Sequence, residues 1–140
     1  MDLPAAFYDA LTSDSTVKGY LGTYLTTPCV FTKVPVPSEA PFPMLVVMPP
    51  ASVSDFDYLN AKKLYILQDL IVYGEQDSDY RDVEALAWYL RNLFHREKDV
   101  ITVTGWNVMD ITVFGPTPAP VSDEKHVARR VELTILLSKN

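Results

Sequence analysis

Residues 62–73, Lys-Lys-Leu-Tyr-Ile-Leu-Gln-Asp-Leu-Ile-Val-Tyr, read as a β-strand that is apolar on both faces. Successive side chains of a strand point to opposite sides. One side carries Leu64, Ile66, Gln68, Leu70 and Val72, and the other Tyr65, Leu67, Asp69, Ile71 and Tyr73. Each face has a single polar residue among large apolar ones. Such a strand needs cover on both sides, and the rest of the chain offers helices for only one. A second copy of the same protein is the simplest cover for the other.

Length and composition leave room for that reading. The chain has 140 residues, the size of a single domain spanning 1–140 with a core of its own. Hydrophobic residues make up 48% and charged residues 21%, which argues for a folded domain over a disordered one. No apolar run approaches the roughly 18 residues of a membrane span. The opening Met1-Asp-Leu-Pro-Ala-Ala lacks the basic segment of a secretory signal. Cys29 is the only cysteine, so no intrachain disulfide forms, which suits a reducing cytoplasm. The net charge of −6 argues against an electrostatic grip on nucleic acid. It leaves room for DNA as a neighbour that passes without sticking.

Along the chain, Leu3, Phe7, Ala10 and Leu11 fall on one face of a short helix over residues 3–12. Ser13-Asp14-Ser15 offers a new N-cap for a second short helix containing Val17, Tyr20 and Leu21. Two short strands are expected at 30–34 and 44–48. The prolines between them hold residues 35–43 at a sheet edge or outside the sheet. Residues 51–61 read as a polar loop. A long helix over 78–96 places Val83, Leu86, Ala87, Leu90, Leu93 and Phe94 on one core-facing stripe, with Trp88 outside it. Asp77, Ser78 or Asp79 can cap its start, and Arg91 and Arg96 suit its C-terminal dipole.

After the helix come strands at 100–104 and 106–114, the latter with Met109, Ile111 and Val113 on one face, then a proline-rich loop over 115–124. The last strand, 125–138, puts Val127, Val131, Leu133, Ile135 and Leu137 on one side and His126, Arg130, Glu132 and Thr134 on the other. The fold class is α+β: an antiparallel-rich mixed sheet with a short N-terminal helix and one long helix packed on one face. Only the crossover helix is expected to join parallel neighbours.

A search for chemistry finds little. His95 and His126 sit apart on polar sides of their elements, without ligand-like spacing to a carboxylate or Cys29. Cys29 has no neighbouring motif of a nucleophile, and no phosphate loop, nucleophile elbow or dinucleotide fingerprint occurs. No catalytic residue, metal or cofactor is assigned. Asp69 and Asp110 lie inside apolar strands, where an ionised carboxylate needs a partner. Arg129 and Arg130 are the natural candidates, as register-fixing ion pairs within or between subunits. A catalytic carboxylate pair is the less favoured alternative. Phe56, Tyr58, Tyr65, Tyr73, Trp88 and Trp106 are split between core and interface roles.

The order of elements resembles the tail terminator, or tail completion, proteins of long-tailed phages and phage-like gene transfer agents. The resemblance rests on Leu3-Pro-Ala-Ala-Phe-Tyr-Asp-Ala-Leu-Thr-Ser-Asp-Ser-Thr-Val-Lys-Gly-Tyr-Leu-Gly, on Phe42-Pro-Met-Leu-Val-Val-Met, on the strand at 62–73, the helix at 78–96 and the closing Arg129-Arg-Val-Glu-Leu. It spans nearly the whole chain. It implies a structural virion protein whose copies form a ring, typically a hexamer. That ring caps the tail tube, stops tail growth and joins the head connector while DNA passes through. The location implied is the head-proximal end of the virion tail, assembled in the bacterial cytoplasm.

Its partners would be other copies of itself, the tail tube protein and a head-connector or head-completion protein. The acidic charge suits a lumen that DNA must traverse without adhering. Tyr65, Leu67, Asp69, Ile71, Tyr73, Arg129 and Arg130 are the expected subunit interface. Ser54, Phe56, Tyr58, Thr117, Pro118 and Pro120 are the expected contacts to tube or connector, since stiff loops lose less entropy on docking. A small α+β enzyme or ligand-binding domain, or another neck or tube component, is the alternative.

Overall fold

The computed structural model describes residues 1–55 and 62–140. Helix α1 spans Leu3–Ser13 and α2 spans Ser15–Tyr20. Asp2 caps α1 by accepting from the Ala5 N–H, and Asp14 caps α2 by accepting from the Thr16 and Val17 N–H groups. A small hairpin follows, β1 (Thr23–Tyr24) and β2 (Thr27–Pro28). Its turn residues Leu25 and Thr26 both have positive φ, the primed-turn geometry that matches strand twist. Then come β3 (Val30–Phe31), β4 (Met44–Val47), β5 (Ser52–Asp55) and β6 (Lys63–Glu75). Helix α3 (Gln76–Phe94), β7 (Trp106–Pro118) and β8 (His126–Lys139) complete the chain.

The architecture is α+β with a mixed, mostly antiparallel sheet in the order β3-β4-β6-β8-β7, and β5 pairs with β6 beyond the end of β4. β6 and β8 pair along their whole length, from Lys63 opposite Ser138 to Glu75 opposite His126. The helices lie on one side, over a core that includes Phe7, Leu11, Val17, Leu86, Leu90 and Phe94 with Ile66, Leu70, Val131 and Ile135 of the sheet. The face assignments made for β6, β8 and the α3 stripe all hold.

Several expectations are corrected. α3 links β6 to β7, but β8 lies between those two strands. The parallel neighbours among the described strands are instead β3 and β4, with Val30 opposite Leu45. The proline-bearing residues 32–43 that join them are long enough, at about a dozen residues, for a parallel return. No strand forms at 100–104. Ile101 and Val103 bury their side chains in the core without joining the sheet. Part of the loop at 51–61 is strand β5, and residues 56–61 lie outside the described residues.

In β7 the register shifts between Val108 and Asp110. Met109 is the extra residue of that bulge, so Val108 packs on the core and Met109 is exposed. The strand also runs on to Pro118, with a second shift between Phe114 and Thr117. Finally, the α3 N-cap is Glu75, and Asp79 reaches back to accept from the Glu75 N–H at 2.8 Å.

Two close fits anchor α3 and the sheet edge. Gln68 is fully buried on the core face. Its Nε2 donates to the Met48 carbonyl, which precedes the Pro49–Pro50 interruption between β4 and β5, and to the Asp69 carbonyl at 3.0 Å. A side-chain amide thus satisfies a backbone acceptor that the interrupted ladder leaves over. At the other end of β6, a Cβ on Gly74 would lie 2.5 Å from Val83 Cγ2 and 2.7 Å from Asp79 Cβ. Gly74→Ala is therefore expected to push α3 off the sheet and cost about 1–3 kcal/mol. Urea denaturation checks this, and an unchanged midpoint would show that the helix has room to spare.

Candidate functional site

The face of the sheet away from the helices is assembled by register. Tyr65, Leu136 and Asp110 stand in one row across β6, β8 and β7, Leu67, Thr134 and Thr112 in the next, and Asp69, Glu132 and Phe114 in the third. Ile71, Arg130 and Thr117 make a fourth. Tyr65 is 47% exposed, Leu67 44% and Phe114 59%. These are large apolar side chains open to water, interspersed with short polar ones and three acids, Asp69, Asp110 and Glu132.

This openness ends abruptly. Beyond the third row the same face is covered by the chain itself. The proline-rich residues 34–43 fold across it, and Val36, Ala40 and Phe42 gather with Cys29, Phe31, Met44 and Tyr73 in a second, smaller core. Ile71 is only 7% exposed. An apolar groove of about 360 Å³ runs along this boundary between Val34, Phe42, Val46, Tyr73, Val121 and His126. His126 Nδ1 lies 2.7 Å from Asp123 Oδ1. That bond, with the Lys125 N–H, holds the Asp123 carboxyl below the ordinary carboxylate range.

The expected interface residues thus divide. Tyr65, Leu67 and Asp69 lie on the open area, with Arg130 at its border. Ile71 and Tyr73 are covered within the chain. Arg129 is on the opposite, helix-bearing face, where its Nε donates to Glu84 Oε2 at 2.7 Å and its guanidinium lies over the Tyr80 ring at 5.5 Å. It is spoken for by α3, so it partners neither Asp69 nor Asp110. Asp110 is paired instead with Arg96, which follows α3. Of the expected docking positions, Ser54 is exposed on β5. Thr117 and Pro118 belong to the end of β7, and Pro120 lines the groove. Phe56 and Tyr58 lie outside the described residues. Phe114 was missed, although it alternates with the buried Val113 and so was due on the open face.

Electrostatically the open face is unfinished. Asp69 sits directly across from Glu132, a like-charge pair in register. Burial raises the Asp69 pKa, the Glu132 carboxylate raises it further, and Arg130 opposes both. Arg130 Nε lies 3.3 Å from Glu132 Oε1, an ion pair without hydrogen-bond alignment, since that buried Nε has no hydrogen-bond partner. A carboxylate whose folded pKa is raised weakens the fold once both states are ionised, and is without effect below its unfolded value. Asp69→Asn is therefore expected to raise the Tm of the isolated subunit at neutral pH and to leave it unchanged near pH ~3. Paired melting curves decide this, and a lower Tm at neutral pH would mean that Asp69 already has its partner.

The described residues hold no cluster of three or more His, Cys, Asp or Glu side chains able to bind a metal ion. No helix among them is long and apolar enough to cross a membrane. What this surface offers is contact area with an acid, Asp69, crowded by Glu132 at its edge.

Comparison with known proteins agrees in fold. No protein-family model matches the chain, and no curated protein matches it. Among solved structures, a chain from the virion of a native gene transfer agent (GTA) particle is similar with a TM-score of 0.78 and 14% identity, over 97% of this chain and 94% of that one. A second solved chain has a TM-score of 0.52 and 17% identity, over 97% of this chain and 92% of its own. The chain therefore shares, from end to end, the fold of a gene transfer agent virion component.

Proposed function

We propose that this protein is a structural component of a phage-like virion. Its copies form a ring, hexameric in the simplest case, that caps the tail tube, stops its growth and joins the tail to the head connector. DNA passes through the ring without specific contacts. The observation that carries this reading is the half-covered sheet. The chain spends its own proline-rich segment on one end of the second face and leaves Tyr65, Leu67 and Phe114 bare at the other. A monomer gains nothing from exposed aromatic and aliphatic side chains, whereas a neighbouring subunit would bury them. The full-length likeness to a gene transfer agent virion chain supports the same reading.

In this assembly the partner subunit supplies the cationic or hydrogen-bonding group that Asp69 lacks. The contact is heterologous, since a ring needs two different patches on each copy. Ser54, Thr117 and Pro118 are the positions offered to tube or connector.

Substitutions on β6 separate folding from assembly. Leu67→Glu, on the open area, is expected to change the subunit's unfolding free energy by no more than about 1 kcal/mol while abolishing incorporation into particles. Ile71→Glu, two residues on and already buried, is expected to unfold the subunit, since it puts an unpaired charge into an apolar site. Circular dichroism melts and particle pull-down read the two effects apart. Particles containing the Leu67→Glu protein at normal copy number would refute the assignment of this face.

Loss of the gene tests the role itself. Particles made without it are expected to show overlong or headless tails by electron microscopy. Normal joined particles would rule out a terminator role.

A further inference from the structure

A sheet with a free edge is open to strand addition by other chains, and β7 is such an edge. Along Ile111–Gly115, however, four of its outward backbone groups are occupied. The Ile111 carbonyl accepts from the Arg96 N–H at 2.8 Å. The Val113 N–H donates to His95 Nδ1 at 3.1 Å. Arg91 Nη1 donates to the carbonyls of Val113 at 3.1 Å and Gly115 at 2.8 Å. All three residues come from the C-terminal turn of α3 and the two positions after it, so one short segment does what a neighbouring strand would do.

The segment is built at a conformational cost. Arg96 has φ +62, the left-handed region in which a helix usually places glycine just past its end. A glycine there would keep the backbone bond to Ile111 without strain. Only a residue with a long cationic side chain adds the ion pair to Asp110 on the same edge. Strain held at one residue by a bond on each side of it marks a built device and not a slack helix end.

Of these four bonds, the one to His95 depends on protonation. An imidazole nitrogen accepts a hydrogen bond only when it carries no proton, and protonated histidine is a donor at both nitrogens. Nδ1 of His95 must therefore be bare, with the ring proton on Nε2, while it holds the Val113 N–H. The charged groups around the ring are Arg91 and Arg96 from the α3 side, and Asp110 from β7, which Arg96 pairs. The Asp110 carboxylate gives its Oδ2 to Arg96 and to the Thr112 hydroxyl.

We propose that the C-terminal turn of α3 is a guard that closes the β7 edge against strand addition, and that neutral His95 is its latch, released by acid. With His95 protonated, two N–H donors face each other and the Val113 N–H is released, while Arg91 and Arg96 keep the neighbouring carbonyls. A β-strand of a second copy then has a donor to pair with. This surface is separate from the open sheet face, so the inference stands or falls apart from the ring reading.

The test is amide hydrogen exchange at Val113, corrected for intrinsic rate, with His95→Asn and His95→Leu beside the wild type. Asparagine places Oδ1 at the same bond distance from the backbone as Nδ1 and accepts at any pH. On acidification from about pH 7.5 to about pH 5 the wild type is expected to lose about tenfold or more of its Val113 protection. His95→Asn should stay protected throughout, and His95→Leu should be unprotected throughout. If His95→Leu does not fold, the wild type and His95→Asn carry the comparison alone. Equal acid sensitivity in those two proteins would overturn the proposal, as would nitrogen spectra placing the neutral ring proton on Nδ1.

Discussion

The pairing of β6 with β8 is the constraint on which the rest of this structure depends. The two strands meet in unbroken register over their full length. A slip of one residue would send every side chain to the other face. The register is held because one alternation, Leu70 with Val131 and Ile66 with Ile135, is uniformly apolar. The other alternation sets Asp69 against Glu132 and Ile71 against Arg130, which no interior would accept. The helix layer then locks onto the apolar side. Gly74 lets α3 approach closely, and Glu84 reaches down to Arg129.

The two faces of that pair are finished differently. On the helix side the apolar cover is complete, and the buried polar residue Gln68 donates its Nε2 to two backbone carbonyls while its Oε1 stays without a partner. On the far side the chain provides cover only from Ile71 onward, through the prolines of residues 34–43. What remains bare carries both apolar surface and imperfectly satisfied charge, at Asp69 and at Arg130 Nε. The β7 edge, by contrast, has its backbone groups at Ile111, Val113 and Gly115 occupied by Arg91, His95 and Arg96 at the end of α3. Contact is thus left available on a face and withheld along an edge. That combination favours side-by-side association of folded subunits over open-ended strand pairing.

Much of this was legible before any coordinates. Period-two alternation located β6 and β8 and assigned their faces, and the 3.6-residue stripe located α3, because local geometry alone sets those periods. The misreadings share a cause. The bulge at Met109 reverses a face by inserting one residue, and nothing in the residue types around it announces the insertion. Residues 100–104 look like a strand because Ile101 and Val103 are apolar, but they are apolar to plug the core without a ladder partner. β5 is Ser-Val-Ser-Asp and exposed at each position, so it has no buried alternation to detect and is held by its pairing with β6. Asp110 and Arg129 were given the wrong partners because Arg96 and Glu84 are distant in sequence and adjacent only after α3 folds back.

The sequence by itself determined the elements that are built from local periodicity, the α+β class, and the fact that one strand has more apolar surface than this chain's helices can cover. Tertiary structure decided where that surplus goes. Half of it is absorbed by a proline-rich segment whose path depends on the parallel return from β3 to β4, and half is left open at Tyr65, Leu67 and Phe114. The physical reason is that burial is a property of what comes to lie across a side chain. Periodicity says which residues share a face, and only the packed chain says which part of that face still meets water.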